Sequence, residues 1–394
     1  MSMNKDQNIK VALVRGNSLN NWEGKLWEDL ENIAVTGFCT NKNLYQFNLA
    51  FPVKRMYSTA DNFITRQVDK FLRARFLAMP GLESELDQFD IVHTAELSYW
   101  YTNQAVRAKK SNPNLRVVVT IWDNSFGRFE YNYWPWFKKV PAWWRKLITR
   151  SIVENVNGVD LFLPVTQSAK DMLMDYGVAE ERIKVLTPAV IQPRDNNLNP
   201  DFLKNHNLEG KDIYMVVNRM IKEKGIYDIL YAWRMYCLEN KNHKAILLMI
   251  GAGRERENAM RMVNDWGLND YFCFIETLPN DQVRNLFSYA KVLILASLPG
   301  PLWQEQFGFV LAEAISCGCP VISTYSGAIP EVIENAGILF SPGNPSDLYM
   351  AIKKINNQDV YFELKNNCKR VQEKFGPALF RENLINIYCN LVAN

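Results

Sequence analysis

The chain has 394 residues, 48% of them apolar and 22% charged, with a formal net charge of +3. That is length enough for two domains of ordinary size, each with its own core, and it is the composition of a soluble globular protein. The charge is too small to imply a nucleic-acid partner, the opening MSMNKDQNIKVALVRG carries no apolar leader, and no run of about 18 apolar residues follows, so a cytoplasmic protein is expected.

From the N-terminus, a strand Ile9–Val14 leads into Arg15-Gly16-Asn17-Ser18 and a helix beginning near Trp22. This first loop lacks G-x-G-x-x-G, which argues against a dinucleotide-dependent dehydrogenase. Segments at 44–49, 63–77, 90–93 and 116–121 continue an alternation of strands and helices, the pattern of a mostly parallel sheet. His93 ends one of these strands. There a ring nitrogen either reaches a ligand hydroxyl or a developing charge, or serves as a hydrogen-bonded core residue. The strand ending at Ile121 is followed by Trp122 and Asp123.

Residues 131–152, YNYWPWFKKVPAWWRKLITRSI, concentrate indole rings among lysines and arginines. After Pro141 a helix is expected with Trp144, Leu147, Ile148 and Ile152 on one face and Lys146 and Arg150 on the other. Such a segment suits an anionic membrane surface; the alternative is an apolar face packed on its own domain. A strand at 160–165, a helix at 168–176 with an N-cap at Thr166 to Ser168, and a strand at 183–186 complete the first domain. The turn-rich PAVIQPRDNNLNP, residues 188–200, reads as a linker. The expected division is 1–195, 196–375 and a terminal helix over 376–394.

Strands at 212–217, 245–250, 272–275, 320–323 and 337–340, with a further one starting at 292, alternate with helices and predict a second doubly wound sheet. After the first comes Asn218-Arg219-Met220-Ile221-Lys222-Glu223-Lys224-Gly225. Arg219 and Lys224, at a strand's carboxyl end beside a helix start, suit a diphosphate, because Arg offers bidentate hydrogen bonds and Lys a compact charge. The second strand ends in Gly251-Ala252-Gly253, where the backbone turns tightly and approaches a ligand closely. Then follows SLPGPLWQEQFGFVLAEAISCGCPVIST, residues 297–324: a strand end, a Pro/Gly-rich loop, a helix opening near Gly308, a stop at Gly318 and a buried strand. Glu305 precedes the helix and Glu313 lies about two turns along it, about 12 Å away if all of it were helical. Two carboxylates beside an anion-binding helix end repel a phosphate unless each accepts hydrogen bonds from nearby hydroxyls, so the implied ligand carries both phosphate and polyol.

Trp303-Gln304-Glu305-Gln306-Phe307-Gly308, Ala312-Glu313-Ala314 and Cys317-Gly318-Cys319-Pro320 together resemble the E-x7-E signature of the family 4 retaining glycosyltransferases, and Gly327-Ala328-Ile329-Pro330-Glu331 and Gly337–Phe340 extend the match. Arg219 and Lys224 match the family's R-x4-K-G segment. The resemblance implies a GT-B fold: two Rossmann-like α/β domains facing a cleft, with a C-terminal helix returning to the first. It implies a nucleotide-sugar donor, UDP- or GDP-linked, bound by the second domain, and an acceptor hydroxyl entering from the first, either lipid-linked or part of a cell-surface glycan precursor. Arg219 and Lys224 would neutralise the leaving diphosphate without metal. Glu313 would accept from ribose hydroxyls, and Glu305 would orient the donor sugar. Backbone groups of Phe307, Gly308 and Phe309 would bind sugar hydroxyls, and Gly251 would line the donor site. Gly16 matches the family's glycine-rich first loop, with altered spacing. Where many members place a histidine near the reaction centre, this chain has Trp122, leaving His93 or Asp123 for the polar role or Trp122 to stack on an acceptor.

Two other classes share the architecture: a nucleotide-sugar epimerase, which needs no acceptor, and a non-catalytic membrane-surface subunit. No metal or other cofactor is expected. The seven cysteines have no framework spacing and read as reduced packing residues, and with three histidines in the chain a protein-built zinc site is not expected.

Overall fold

A computed structural model describes residues 8–63, 65–67, 77–124, 142–191, 201–240, 244–300 and 303–393, without the side chains of residues 144, 145 and 148. The chain divides into two compact units, Met1–Ala189 with Pro377–Asn394, and Val190–Gly376.

The first unit is built on β1 (Ile9–Val14), β2 (Ile33–Thr40), β3 (Val53–Met56), β4 (Ile91–Ala95), β5 (Arg116–Ile121) and β6 (Leu161–Pro164), in the order β3-β2-β1-β4-β5-β6. The second carries β7 (Asp212–Val217), β8 (Ala245–Ile250), β9 (Phe272–Ile275), β10 (Ala290–Leu295), β11 (Val321–Thr324) and β12 (Gly337–Phe340), in the order β12-β11-β10-β7-β8-β9. Neighbouring strands pair in parallel, β7 with both β8 and β10. Both units are therefore doubly wound α/β sheets.

Sequences such as IKVALV and AILLMI are nearly continuous apolar runs because helices cover both faces of a parallel sheet. Alternate residues still part to opposite faces. Met215, Leu248 and Leu293 pack with Leu311, Ala314 and Ile315 of the helix Phe309–Ser316. Tyr214, Leu247 and Val292 pack with Ile229 and Trp233 of the helix Ile226–Glu239.

Two expectations for the first unit need correction. Residues 44–49 form no strand, and the second strand is β2, whose run IAVTGFCT is interrupted by Gly37. A Cβ at Gly37 would lie 3.1 Å from Val53, so the glycine admits the neighbouring edge strand. Residues 183–186 contribute one isolated bridge, Ile183 to Phe162, instead of a strand. Of the segment 63–77, residues 64 and 68–76 lie outside the described residues, as do 192–200 of the linker and 131–141 of the tryptophan-rich stretch.

The terminal helix Pro377–Ala393 belongs to the first unit. Its Tyr388 hydroxyl accepts from Trp27 Nε1 at 3.1 Å and lies 2.6 Å from His93 Nδ1, while His93 Nε2 is 2.7 Å from Thr120 Oγ1. His93 is fully buried, with both nitrogens engaged, so it offers none to a substrate and takes the core role of the two weighed for it. Burial first, and the Arg15 charge second, hold its pKa well below the usual imidazole range.

The sign of the linkage follows. Below about pH 6.5 the unfolded chain takes up a proton that folded His93 refuses, so its contribution is complete above that pH and fades below it. Urea midpoints should fall between about pH 7.5 and about pH 5.5. His93→Asn should be less stable at the higher pH and show a shallower pH slope; an unchanged slope would mean another group controls it. Tyr388→Phe, which leaves Nδ1 unpaired, should cost roughly 1–3 kcal/mol.

Candidate functional site

The chain runs from β7 outward to β8 and β9, then crosses to β10 on the other side of β7. Strand order therefore reverses at β7 and β10, and ligands of open α/β sheets collect beyond the carboxyl ends at such a point. Arg219 lies two residues past β7, exposed, with no ion-pair partner among the described residues. Lys224 closes the single turn Lys222–Lys224, and Gly225, at φ +64°, starts the next helix. A Cβ on Gly225 would stand 1.9 Å from the carbonyl oxygen of Ala296, just past β10. The Leu298 N–H donates to the Glu223 carbonyl at 2.9 Å, so the two strand exits are held together.

On that junction sits an ion pair. Lys224 Nζ lies 2.5 Å from Glu305 Oε2, with both side chains 13% exposed. The Ser297 hydroxyl donates to the same oxygen at 2.7 Å, and the ammonium lies 4.9 Å from the centre of the Trp303 ring. Glu305 is fixed through its main chain as well. Its carbonyl accepts from Ala328 N–H at 3.0 Å, and a Cβ on Gly327, at φ +55°, would meet that oxygen at 2.0 Å. The Gly-Ala-Ile-Pro-Glu stretch after β11 is thus the clamp on the loop.

Phe307 is buried against Phe309 and Phe375. Gly308, at φ +81° and ψ 56°, turns the chain into the helix Phe309–Ser316. The first N–H groups of a helix have no partner within it, which makes this end a place for negative charge. Glu313, half-buried on that helix, answers to Arg284 and not to Lys224. Burial raises its carboxyl pKa, and the Arg284 charge partly offsets the rise. Burial and the Glu313 charge push the Cys317 thiol up to about 11.

Residues 199–375 match the family described as "Glycosyl transferases group 1", and residues 50–191 match "Glycosyltransferase Family 4". The chain belongs to the family 4, group 1 glycosyltransferases. Relatives are distant. A glycosyltransferase of Methanocaldococcus jannaschii is 22% identical over 77% of this chain and 76% of its own length. A phosphatidylinositol N-acetylglucosaminyltransferase subunit of Saccharomyces cerevisiae is 24% identical over 69% of this chain, and an N-acetyl-alpha-D-glucosaminyl L-malate synthase of Bacillus anthracis 27% identical over 46%. The matches span 56% and 45% of the lengths of those two proteins. Among solved structures, the Anabaena protein HepE in complex with UDP superposes with a TM-score of 0.69 at 14% identity, covering 97% of this chain and all of that one. A Rickettsia africae glycosyltransferase gives the same TM-score at 16% identity, covering 99% of this chain. These likenesses identify the fold as GT-B.

The glycosyltransferase thus brings Lys224 and Glu305 into contact and keeps Glu313 apart from them. Gly251, at φ +149°, sits where the exits of β7 and β8 meet. Its Cβ would lie 1.9 Å from the Asn218 carbonyl oxygen, so it lets the exit of β8 pack under the turn carrying Arg219. Gly16 belongs to the first unit, where a Cβ would fall 2.7 Å from the Tyr101 ring. In that unit Trp122 packs edge-on to Trp22, with ring centres 5.8 Å apart. The N–H groups of Trp122 and Asp123 donate to Glu96 Oε1 at 3.0 and 3.1 Å. Glu96, at φ +61°, was not singled out from the sequence. An acidic residue directly after the strand IVHTA was the available signal. Ser297 and Arg284 were missed too, since a serine at a strand end and an arginine in an unrelated helix carry no pattern.

On the helix Ala142–Gly158, Trp143 and Leu147 are exposed beside Lys146 and Arg150, while Ile152 is buried. Leu147 therefore shares the exposed side with Lys146 and Arg150, apart from the buried Ile152 with which the expected helix grouped it. Among the described residues no helix is long and apolar enough to cross a membrane, and no group of three His, Cys, Asp or Glu is placed to hold a metal.

A carboxyl whose folded pKa is raised is penalised in its charged form at neutral pH. Glu313→Gln should therefore raise the unfolding midpoint at neutral pH, by on the order of 2–4 °C. A fall would show that Arg284 more than compensates the buried charge.

Proposed function

We propose that this glycosyltransferase takes a hexosyl group from a UDP- or GDP-sugar and passes it to an acceptor hydroxyl, with retention of configuration and without metal. The observation that carries the reading is the Lys224–Glu305 ion pair beyond the carboxyl ends of β7 and β10, with Arg219 on the same exit from β7 as Lys224. As the bond between anomeric carbon and phosphate oxygen breaks, negative charge grows on the diphosphate, and two cations on rigid turns stabilise it without reorganising. Glu313 accepts from ribose hydroxyls, and the backbone at Phe307, Gly308 and Phe309 meets sugar hydroxyls. Retention rests on the family signature. The UDP bound by the Anabaena neighbour makes UDP-sugars the first donors to test.

The acceptor is a lipid-linked or cell-surface glycan precursor, and the enzyme works as a peripheral protein at the inner face of a membrane. The exposed Trp143, Lys146, Leu147 and Arg150 support this, because an indole, an aliphatic chain and two cations on one helix suit an anionic bilayer surface. The yeast relative's name, with its phosphatidylinositol substrate, points the same way.

Donors should raise the melting temperature and be slowly hydrolysed, with EDTA making no difference. Glu313→Ala should mainly weaken nucleotide binding. Arg219→Ala and Lys224→Ala should mainly lower turnover, by roughly a hundredfold each. Equal affinity and turnover in all three variants would overturn the assignment. Trp143→Ala should reduce co-sedimentation with phosphatidylglycerol vesicles; no binding by the unmodified enzyme would remove the membrane part alone.

A further inference from the structure

We infer that Glu305 is an internal stand-in for donor phosphate, and that it makes the site prefer the intact nucleotide sugar to the free nucleoside diphosphate. This rests on the donor reading above.

The Lys224 ammonium is paired with a carboxylate 2.5 Å away and lies 4.9 Å from the centre of the Trp303 ring. Both main chains are tied in place, the Leu298 N–H donating to the Glu223 carbonyl at 2.9 Å and the Ala328 N–H to the Glu305 carbonyl at 3.0 Å, so the pair parts by side-chain movement. A phosphate oxygen that takes over Lys224 then lies within about 6 Å of the Glu305 carboxylate, the sum of two charge-assisted contacts. That neighbour is tolerated when it brings its own compensation.

An intact nucleotide sugar does so. Its second phosphate, esterified to the sugar and joined to the first phosphate as an anhydride, carries one negative charge, and the attached sugar offers hydroxyls that donate to Glu305. A free nucleoside diphosphate ends in a more highly charged phosphate with no such donor beside it. Glu305 repels that group and reclaims Lys224. The Ser297 hydroxyl, donating to the same carboxylate oxygen, keeps Glu305 in place for the return. Substrate loading is thus an exchange of anions on Lys224, and product release is its reversal. The cost is a weaker hold on the donor than an unmasked lysine would give.

The test is calorimetric titration of UDP, UDP-glucose, GDP and GDP-mannose into the unmodified protein, Glu305→Gln, Lys224→Gln and the double variant. Glu305→Gln should bind the nucleoside diphosphate about tenfold more tightly while its affinity for the matching sugar donor stays level or falls, because only the diphosphate loses a repulsion without losing a hydrogen bond. The gain should vanish in the Lys224→Gln background. Glu305→Asp, which draws the charge back by one methylene, should move the same way by less and serves if the amide variant does not fold. Equal tightening of both ligands, no tightening, or a gain that survives without Lys224 would overturn the inference. Failure of the unmodified protein to bind any of the four would instead overturn the donor reading, and the inference with it.

Discussion

The contact between Lys224 and Glu305 depends on two backbone approaches that only glycine permits. Gly225 lets the turn after β7 lie against the exit of β10, and Gly327 lets the turn after β11 press on the Glu305 carbonyl. Each sits at positive φ, and each lacks room for a single added carbon. With those approaches made, three loops from three parallel strands converge on one ammonium and one carboxylate. A parallel sheet makes this geometry available, because all its strands deliver their following loops to the same edge.

A partly buried ion pair is weak evidence of stabilisation, since desolvating both charges offsets most of their attraction. This pair stands at the start of the helix Phe309–Ser316, where Glu305 Cγ would lie 3.5 Å from a Cβ on Gly308. Glu313 shows the other outcome of burial: without a direct ion-pair contact, the charged form is disfavoured and the pKa rises. Two carboxylates on one signature thus experience different environments, one held by an ammonium and a hydroxyl, the other facing a more distant guanidinium.

The first unit is organised by a different network. Arg15, almost wholly buried, pairs with Glu23 at 2.8 Å, donates to the His93 carbonyl at 3.0 Å and stands 5.3 Å from the centre of the Trp27 ring. Trp27 and His93 both meet Tyr388, so the last helix of the chain is tied to the centre of the first sheet by hydrogen bonds between distant segments. A core with this many polar groups tolerates only one arrangement of them.

Much of this was legible in the residues. The six strands of the second unit are strong apolar runs bounded by glycine and proline, and the two glutamates, Arg219 and Lys224 stand in a local context that carries its own meaning. The weaker places failed for physical reasons. β2 is broken by Gly37, whose purpose is a neighbour 3.1 Å away, and residues 44–49 have the alternation of a strand without a partner to pair with. His93 in sequence is a titratable group at a strand end. Its role was decided by Tyr388, 295 residues later. Sequence alone determined the family, the parallel sheets and the candidate ligand groups, because periodicity and short motifs are local. The tertiary structure decided which groups meet: Lys224 touches Glu305, Glu96 accepts from the amides after β5, and Glu313 comes within the electrostatic reach of Arg284. Such pairings are set by backbone approaches and burial between distant segments, and no local pattern encodes them.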